Sequence, residues 1–226
     1  TLTRGWLAIP FKGGVTAKYY RRLAWSSAAF ALLADLAMGT MGATLKTKGK
    51  TTGRFADILG WMYFATAVLR RYEYEGRRRE DIPYLRWSLD HCFAQIQIAF
   101  DGLFANFDAP VLGTLFRYPL RWFWSLNAIG RRPSDETDLA VASLIQTPGE
   151  QRDRITDGIF MSKSPTDAFR LQEEAFLMTI ESEAVSRKVR RAIKEKTLKK
   201  QPAAELYKAA VQQGVITQAE FENIAR

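Results

Sequence analysis

Apolar residues recur along most of this chain at helical spacing, and nowhere do they alternate as strands do. In residues 31–45, small and large apolar side chains occupy every side of the predicted helix, the pattern of a helix buried among others. A basic loop at residues 46–54 follows. Residues 55–72 then space Phe55, Leu59, Met62, Ala65 and Leu69 by three or four, with Trp61, Phe64 and Val68 opposite and Gly76 as a C-terminal stop. This hairpin predicts the centre of an all-α helical bundle with appended C-terminal helices.

The remaining elements are placed by caps and breakers. Residues 1–15 read as an irregular lead-in, with Pro10 and Gly13-Gly14 opposing helix. Lys12-Gly13-Gly14 either forms a turn or holds an anion on backbone N–H groups. Thr16 caps a first helix running to about Leu45. A third helix has Pro83 in its first turn, runs to about Phe107, and is expected to bury Leu85, Leu89, Phe93, Ile96, Phe100, Leu103 and Phe104. Ser134, Thr147-Pro-Gly-Glu150, Ser164-Pro-Thr-Asp167, Pro202 and Thr217-Gln-Ala-Glu220 each begin a further helix. Leu139, Ala142, Leu144 and Ile145 are the expected apolar positions after Ser134, and Phe169, Ala175, Phe176, Met178 and Ile180 those after Asp167. The organisation is a lead-in (1–15), a bundle (16–130) and additional helices (131–226).

Two stretches combine charge with apolar surface. Residues 116–124 pack five aromatics with Arg117 and Arg121 around Pro119, a mixture that suits a membrane boundary, a core edge or a subunit contact. Membrane or anion contact would involve Arg117, Arg121, Trp122 and Trp124. Residues 187–200 are strongly basic, with Arg187, Lys188, Arg190 and Arg191 beside a narrow stripe of Val189, Ala192 and Ile193. They read as a solvated outer helix or as a second anionic-surface contact.

Composition narrows the setting. At 226 residues and 47% hydrophobic the chain can bury a substantial core. A net charge of +9 admits anionic lipid, acyl-CoA phosphates or an acidic protein. Nucleic acid is not expected, since no zinc-finger spacing, RNP-like strand or glycine-loop motif accompanies the charge. Cys92 is the single cysteine, so a reducing, cytoplasmic compartment is expected. Charged residues interrupt every long apolar run before the roughly 18 residues that a bilayer span requires, so no crossing is expected. The opening Thr-Leu-Thr-Arg-Gly-Trp has neither an initiating Met nor a signal-peptide pattern and reads as part of a longer polypeptide.

Candidate chemistry is sparse. His91 is the only histidine, which excludes a multi-histidine metal site, and neighbouring Cys92 points about 100° away on the same helix. Both are expected to be packing residues. Asp35 and Asp57 lie in apolar helices, where two facing carboxylates could share a proton. Buried charges are generally paired, so the expectation is a structural ion-pair network of Asp35 and Asp57 with Arg54, Arg70 or Arg71. No catalytic residue and no metal ligand is assigned.

An ordered set of residues nevertheless carries a resemblance. It comprises Asp35, Met38, Gly42, Leu45-Lys46, Arg54, Asp57, Leu59, Tyr63, Ala65, Ala67, Leu69, Arg71-Tyr72 and Glu75-Gly76-Arg77. It continues with Asp81, Pro83, Trp87, Asn106-Phe107, Pro133-Ser134-Asp135, Gln146, Pro148, Arg152, Arg154-Ile155, Gly158 and Glu173-Glu174-Ala175. The set resembles the C-terminal helical domain of the large bacterial FadE-type acyl-coenzyme A dehydrogenases. The stretch around Trp122 and the tail after Arg187 do not match that pattern.

The resemblance implies a parent enzyme of fatty-acid β-oxidation that removes hydrogens from the α and β carbons of an acyl thioester with FAD. In the broader family a glutamate abstracts the α proton, the flavin takes a hydride, and an electron-transferring flavoprotein accepts the electrons. That glutamate belongs upstream of the portion resembled here, so neither Glu75 nor Glu173 takes its role. The resemblance therefore implies a non-catalytic chain, without FAD of its own. It would support upstream catalytic domains, subunit contacts in a homo-oligomer, or peripheral attachment to the inner membrane. A free-standing basic module that binds an anionic membrane or acidic protein is the alternative.

Overall fold

The computed structural model describes residues 13–109, 111–126 and 128–224. The expected lead-in, with Pro10 and Lys12, lies largely outside them. Among the described residues there is no β-strand, and the chain is all-α as its periodicity predicts. Two compact units divide it, Thr1–Arg152 and Asp153–Arg226. The sequence reading set the additional helices apart after residue 130, whereas this division falls at Arg152.

The first unit is built on three long helices. Helix α1 (Ala17–Met41) buries Tyr19, Trp25, Ala29, Leu33, Ala37 and Met41, mostly four residues apart along one ridge. Gly42, at φ 53°, ends it and opens a 3₁₀ turn, Gly42–Thr47. Helix α2 (Gly49–Tyr74) returns alongside and buries Ile58, Met62, Ala65, Leu69 and Tyr72. It closes as Gly76 predicts: Gly76 takes φ 85°, its N–H reaches the Glu73 carbonyl at 3.3 Å, and the Arg77 N–H reaches the Tyr72 carbonyl at 2.9 Å.

Helix α3 (Ile82–Ala105) is the central element, with all seven expected core positions buried between α1 and α2. Gln97 is buried among them and works as a clamp. Its Oε1 accepts from the Ile129 N–H at 2.8 Å and its Nε2 donates to Asp101 Oδ1 at 2.8 Å, which ties the chain beyond α3 back onto it. Burial raises the Asp101 carboxyl above the usual carboxylate range, opposed by the Gln97 amide and the Arg121 charge.

From Leu112 to Ser125 the backbone is a single kinked helical run. It comprises α4 (Leu112–Leu115), a π-helical turn (Phe116–Leu120) that contains Pro119, and α5 (Arg121–Ser125). Proline supplies no N–H to the helical ladder, and the wider turn accommodates it. Helix α6 (Asp135–Ile145) starts at Ser134, whose Oγ accepts from the Thr137 N–H. Trp87 Nε1 on α3 donates to Asp138 Oδ1 at 2.6 Å and holds α6 in place. Most of the apolar positions of α6 are not buried. Leu139, Ala142 and Ile145 are exposed, because α6 meets α3 over a narrow strip only.

Helix α7 (Glu150–Thr156) carries the chain out of the first unit. In the second unit, α8 (Ala168–Lys194), α9 (Ala203–Gln212) and α10 (Gln218–Ile224) enclose a small core of Val185, Val189, Ala192, Leu198, Ala210 and Ile216. Asp167, rather than Ser164, caps α8 by accepting from Phe169 and Arg170 N–H groups. Thr217 and Glu220 form the expected reciprocal capping box, Thr217 N–H to Glu220 Oε2 at 2.8 Å and Glu220 N–H to Thr217 Oγ1 at 3.2 Å. Phe169 and Met178 on the first half of α8 are exposed, so the apolar stripe expected there is not a core face.

One expectation about membranes needs correction. The segment Ala17–Thr47 contains an 18-residue window of mean hydropathy 1.5 with at most two charges, long and apolar enough to cross a bilayer by composition. Asp35 alone does not interrupt it. The same helix packs Tyr19, Trp25 and Leu33 into the bundle core, which is also what an inner helix of a helical protein does.

Candidate functional site

The densest constellation in the first unit lies under the kinked helix. Trp124 of α5 sits 4.6 Å from Trp25, 5.2 Å from Phe100 and 4.8 Å from Phe104, measured between ring centroids. Phe116 of the π turn packs edge-on against Phe104 and Phe107 at 5.6 and 4.7 Å. Such edge and tilted contacts satisfy the ring quadrupoles. Trp124 Nε1 is buried without a hydrogen-bond partner among the described residues.

Beside this cluster an apolar cleft of about 180 Å³ opens between α1 and the kinked helix, lined by Trp25, Leu32, Leu36, Phe104, Leu120 and Phe123 among others. Its lining provides no cation to hold the diphosphate of FAD and no set of donors to hold its ring, so the cleft does not fit that cofactor.

The predicted contact residues divide between structural and exposed positions. Arg117 donates through Nε to the Ala105 carbonyl at 3.3 Å and closes the C-terminus of α3. Arg121 and Trp122 are exposed, whereas Trp124 faces the aromatic cluster. In the tail, Arg187 pairs with Glu183 at 3.4 Å, Lys188 with Glu220 at 2.6 Å and Arg191 with Glu195 at 2.8 Å. Arg190 is exposed. Three of the four predicted tail contacts, Arg187, Lys188 and Arg191, are thus matched by carboxylates of the second unit, as on a solvated outer helix.

The expected Asp35–Asp57 network is not assembled. Both aspartates are exposed, and among the described residues neither forms an ion pair. Helical periodicity placed them inside because their neighbours are apolar, yet their own side of the hairpin has no covering helix. Arg54 instead lays its side chain over Gly102 of α3, and Arg71 pairs with Glu75 at 2.7 Å. Lys48 of the basic loop pairs with Asp108.

His91 and Cys92 behave as packing residues. The imidazole stacks on Trp87 at 5.3 Å and 9° and meets Trp61 edge-on at 5.3 Å. Cys92 is buried, and desolvation pushes its thiol up to about 11. The thiolate is the nucleophile, so at neutral pH the folded protein should react with iodoacetamide orders of magnitude more slowly than after unfolding in guanidinium. Equal labelling of both states in a mass-spectrometric time course would show that Cys92 is open to reagent.

Among the described residues no group of three or more His, Cys, Asp or Glu side chains is placed to hold a metal ion. The sequence reading missed the contacts of Trp25, the Gln97 clamp and the Trp87–Asp138 bond. Only Gln97, a polar residue within the apolar face of α3, left a local signal.

No solved structure matches the chain. Over residues 1–226 it matches the family described as acyl-CoA dehydrogenase, C-terminal, bacterial type. The match spans both compact units, and the all-α architecture agrees with the helical C-terminal domain that the residue pattern resembles. The chain therefore belongs to the C-terminal family of bacterial-type acyl-CoA dehydrogenases.

Proposed function

We propose that this chain is the non-catalytic C-terminal domain of an FAD-dependent acyl-CoA dehydrogenase of fatty-acid β-oxidation, and that it braces the catalytic domains of that enzyme. The full-length family match carries this reading. The outer side of the α1–α2 hairpin supports it. Met38, Leu59, Tyr63 and Phe64 are each more than half exposed there, with the carboxylates of Asp35 and Asp57 among them. A run of large apolar side chains on one hairpin marks a surface that a partner covers, and catalytic domains of the same enzyme are the partner the family supplies. Proton abstraction, flavin reduction and delivery of electrons to an electron-transferring flavoprotein then belong to the parent enzyme in the cytoplasm.

The full enzyme and this chain alone should be compared for bound flavin and for palmitoyl-CoA-dependent dye reduction. The full enzyme is expected to be yellow and active, the chain colourless and inactive. In the full enzyme, Leu59→Asp with Tyr63→Asp should lower the temperature at which flavin is released by several degrees, as expected when interface stabilisation of a few kcal/mol is lost. Dehydrogenation by the isolated chain, or an unchanged release temperature in the double variant, would contradict the bracing role.

A further inference from the structure

The kinked helix of residues 111–126 is apolar on almost every side. Inward it sends Phe116, Leu120 and Trp124 into the aromatic cluster. Outward, Val111, Leu115, Tyr118, Trp122 and Leu126 follow one another at intervals of four, three, four and four residues, the spacing of one helical face. They are 80%, 46%, 65%, 65% and 65% exposed. A helix that is apolar all round is normally covered, in a protein core or by a lipid phase.

Charge distinguishes this surface from the hairpin face. Between Ala109 and Ser134 the sequence has four arginines, Arg117, Arg121, Arg131 and Arg132, and no carboxylate. The outer side of α1–α2 mixes its apolar residues with aspartates instead. Aromatic rings with a polar tip, interleaved with arginine and lacking acids, match the boundary where acyl tails meet anionic headgroups. The cleft flanked by Phe123 and Leu32, both half exposed, extends the apolar surface from this helix onto α1.

We propose that helix 111–126 lies in the interface of an anionic bilayer, with Leu115, Tyr118, Trp122 and Leu126 among the acyl tails and the arginines at lipid phosphate. The inference goes beyond the bracing role, because it gives the same chain a second, lipid partner on a separate surface. The basic tail is not needed for it, and three of its cations, Arg187, Lys188 and Arg191, already pair with carboxylates of the second unit.

The test is co-sedimentation of the full enzyme with vesicles of phosphatidylcholine alone or mixed with phosphatidylglycerol, at low and high salt. Wild-type enzyme is expected to pellet with the mixed vesicles, and less so as salt rises. Leu115→Asp with Trp122→Asp should lower the bound fraction about tenfold or more, because two charges enter the apolar side. Arg121→Gln with Arg131→Gln should weaken binding roughly thirtyfold and flatten its salt dependence, since each of the two basic residues near an anionic surface contributes on the order of 1 kcal/mol.

These side chains are exposed, so the variants should keep the wild-type melting temperature, and dye-linked dehydrogenase activity in vesicle-free buffer reports separately on the parent enzyme. The proposal is overturned if the wild type does not pellet, or if the Leu115→Asp/Trp122→Asp enzyme pellets like the wild type. It is also overturned if that variant changes the oligomeric state in gel filtration while vesicle binding stays as before, which would assign the face to a second copy.

Discussion

Phe100→Ala is expected to destabilise the first unit by roughly 3–5 kcal/mol, the range for deleting a fully buried phenylalanine. Phe100 is completely buried in the C-terminal third of α3, where its ring meets Trp25, Phe104 and Trp124 at centroid distances of 6.2, 6.4 and 5.2 Å. Those three rings are themselves held by α1, α3 and α5, so the space left by the deletion cannot collapse without moving a helix. Residual cavity therefore adds to the lost transfer energy. Tryptophan fluorescence in a urea titration reads this unit alone, because all six tryptophans precede Arg152. The midpoint should fall with little change in slope. Leu139→Ala, at a position 72% exposed on α6, should shift it by no more than about 0.5 kcal/mol. Equal effects of the two substitutions would mean that the aromatic cluster is not the stabilising centre of this unit.

What could be read from the sequence is what depends on near neighbours along the chain. The core face of α3 follows from a period of three to four, and the ends of α2, α6 and α10 follow from Gly76, Ser134 and the Thr217–Glu220 pair. Each of those signals acts within a few residues. Whether an apolar stripe meets a partner depends on the rest of the fold, and there the sequence reading failed. The apolar helices around Asp35 and Asp57 imply that both aspartates are buried, although both are exposed, and Leu139 and Ile145 among the apolar positions of α6 are exposed as well. Contacts that join distant parts of the chain, such as Lys48 with Asp108 or Trp87 with Asp138, leave almost no trace in either partner's local sequence. The candidate surface was legible in part. Aromatic and arginine clustering marked residues 116–124, but only the structure separates Trp124, turned into the core, from Trp122, turned out.

The same long-range logic predicts that Gly130→Ala costs roughly 2–5 kcal/mol, although the residue lies in a connection and carries no positive φ. A Cβ built there would fall 2.1 Å from the Phe93 carbonyl carbon, 2.2 Å from its oxygen and 2.5 Å from the Ala94 nitrogen. Every one of these atoms belongs to the backbone of α3, so no rotamer change can relieve the clash and the connection must lift away. Lifting it strains the bond from the Ile129 N–H to buried Gln97 and begins to expose Ile129. The overpacking penalty of about 1–3 kcal/mol is thus joined by the cost of an unsatisfied buried group. Gly60→Ala in α2 offers the opposite case, since a Cβ added at Gly60 would meet nothing within 4 Å and alanine favours helix by about 1 kcal/mol. Measured side by side in urea, the two substitutions should move the midpoint in opposite directions. A neutral Gly130→Ala would mean that the connection after α5 is not seated on α3, and that the Gln97 clamp does not hold the kinked helix in place.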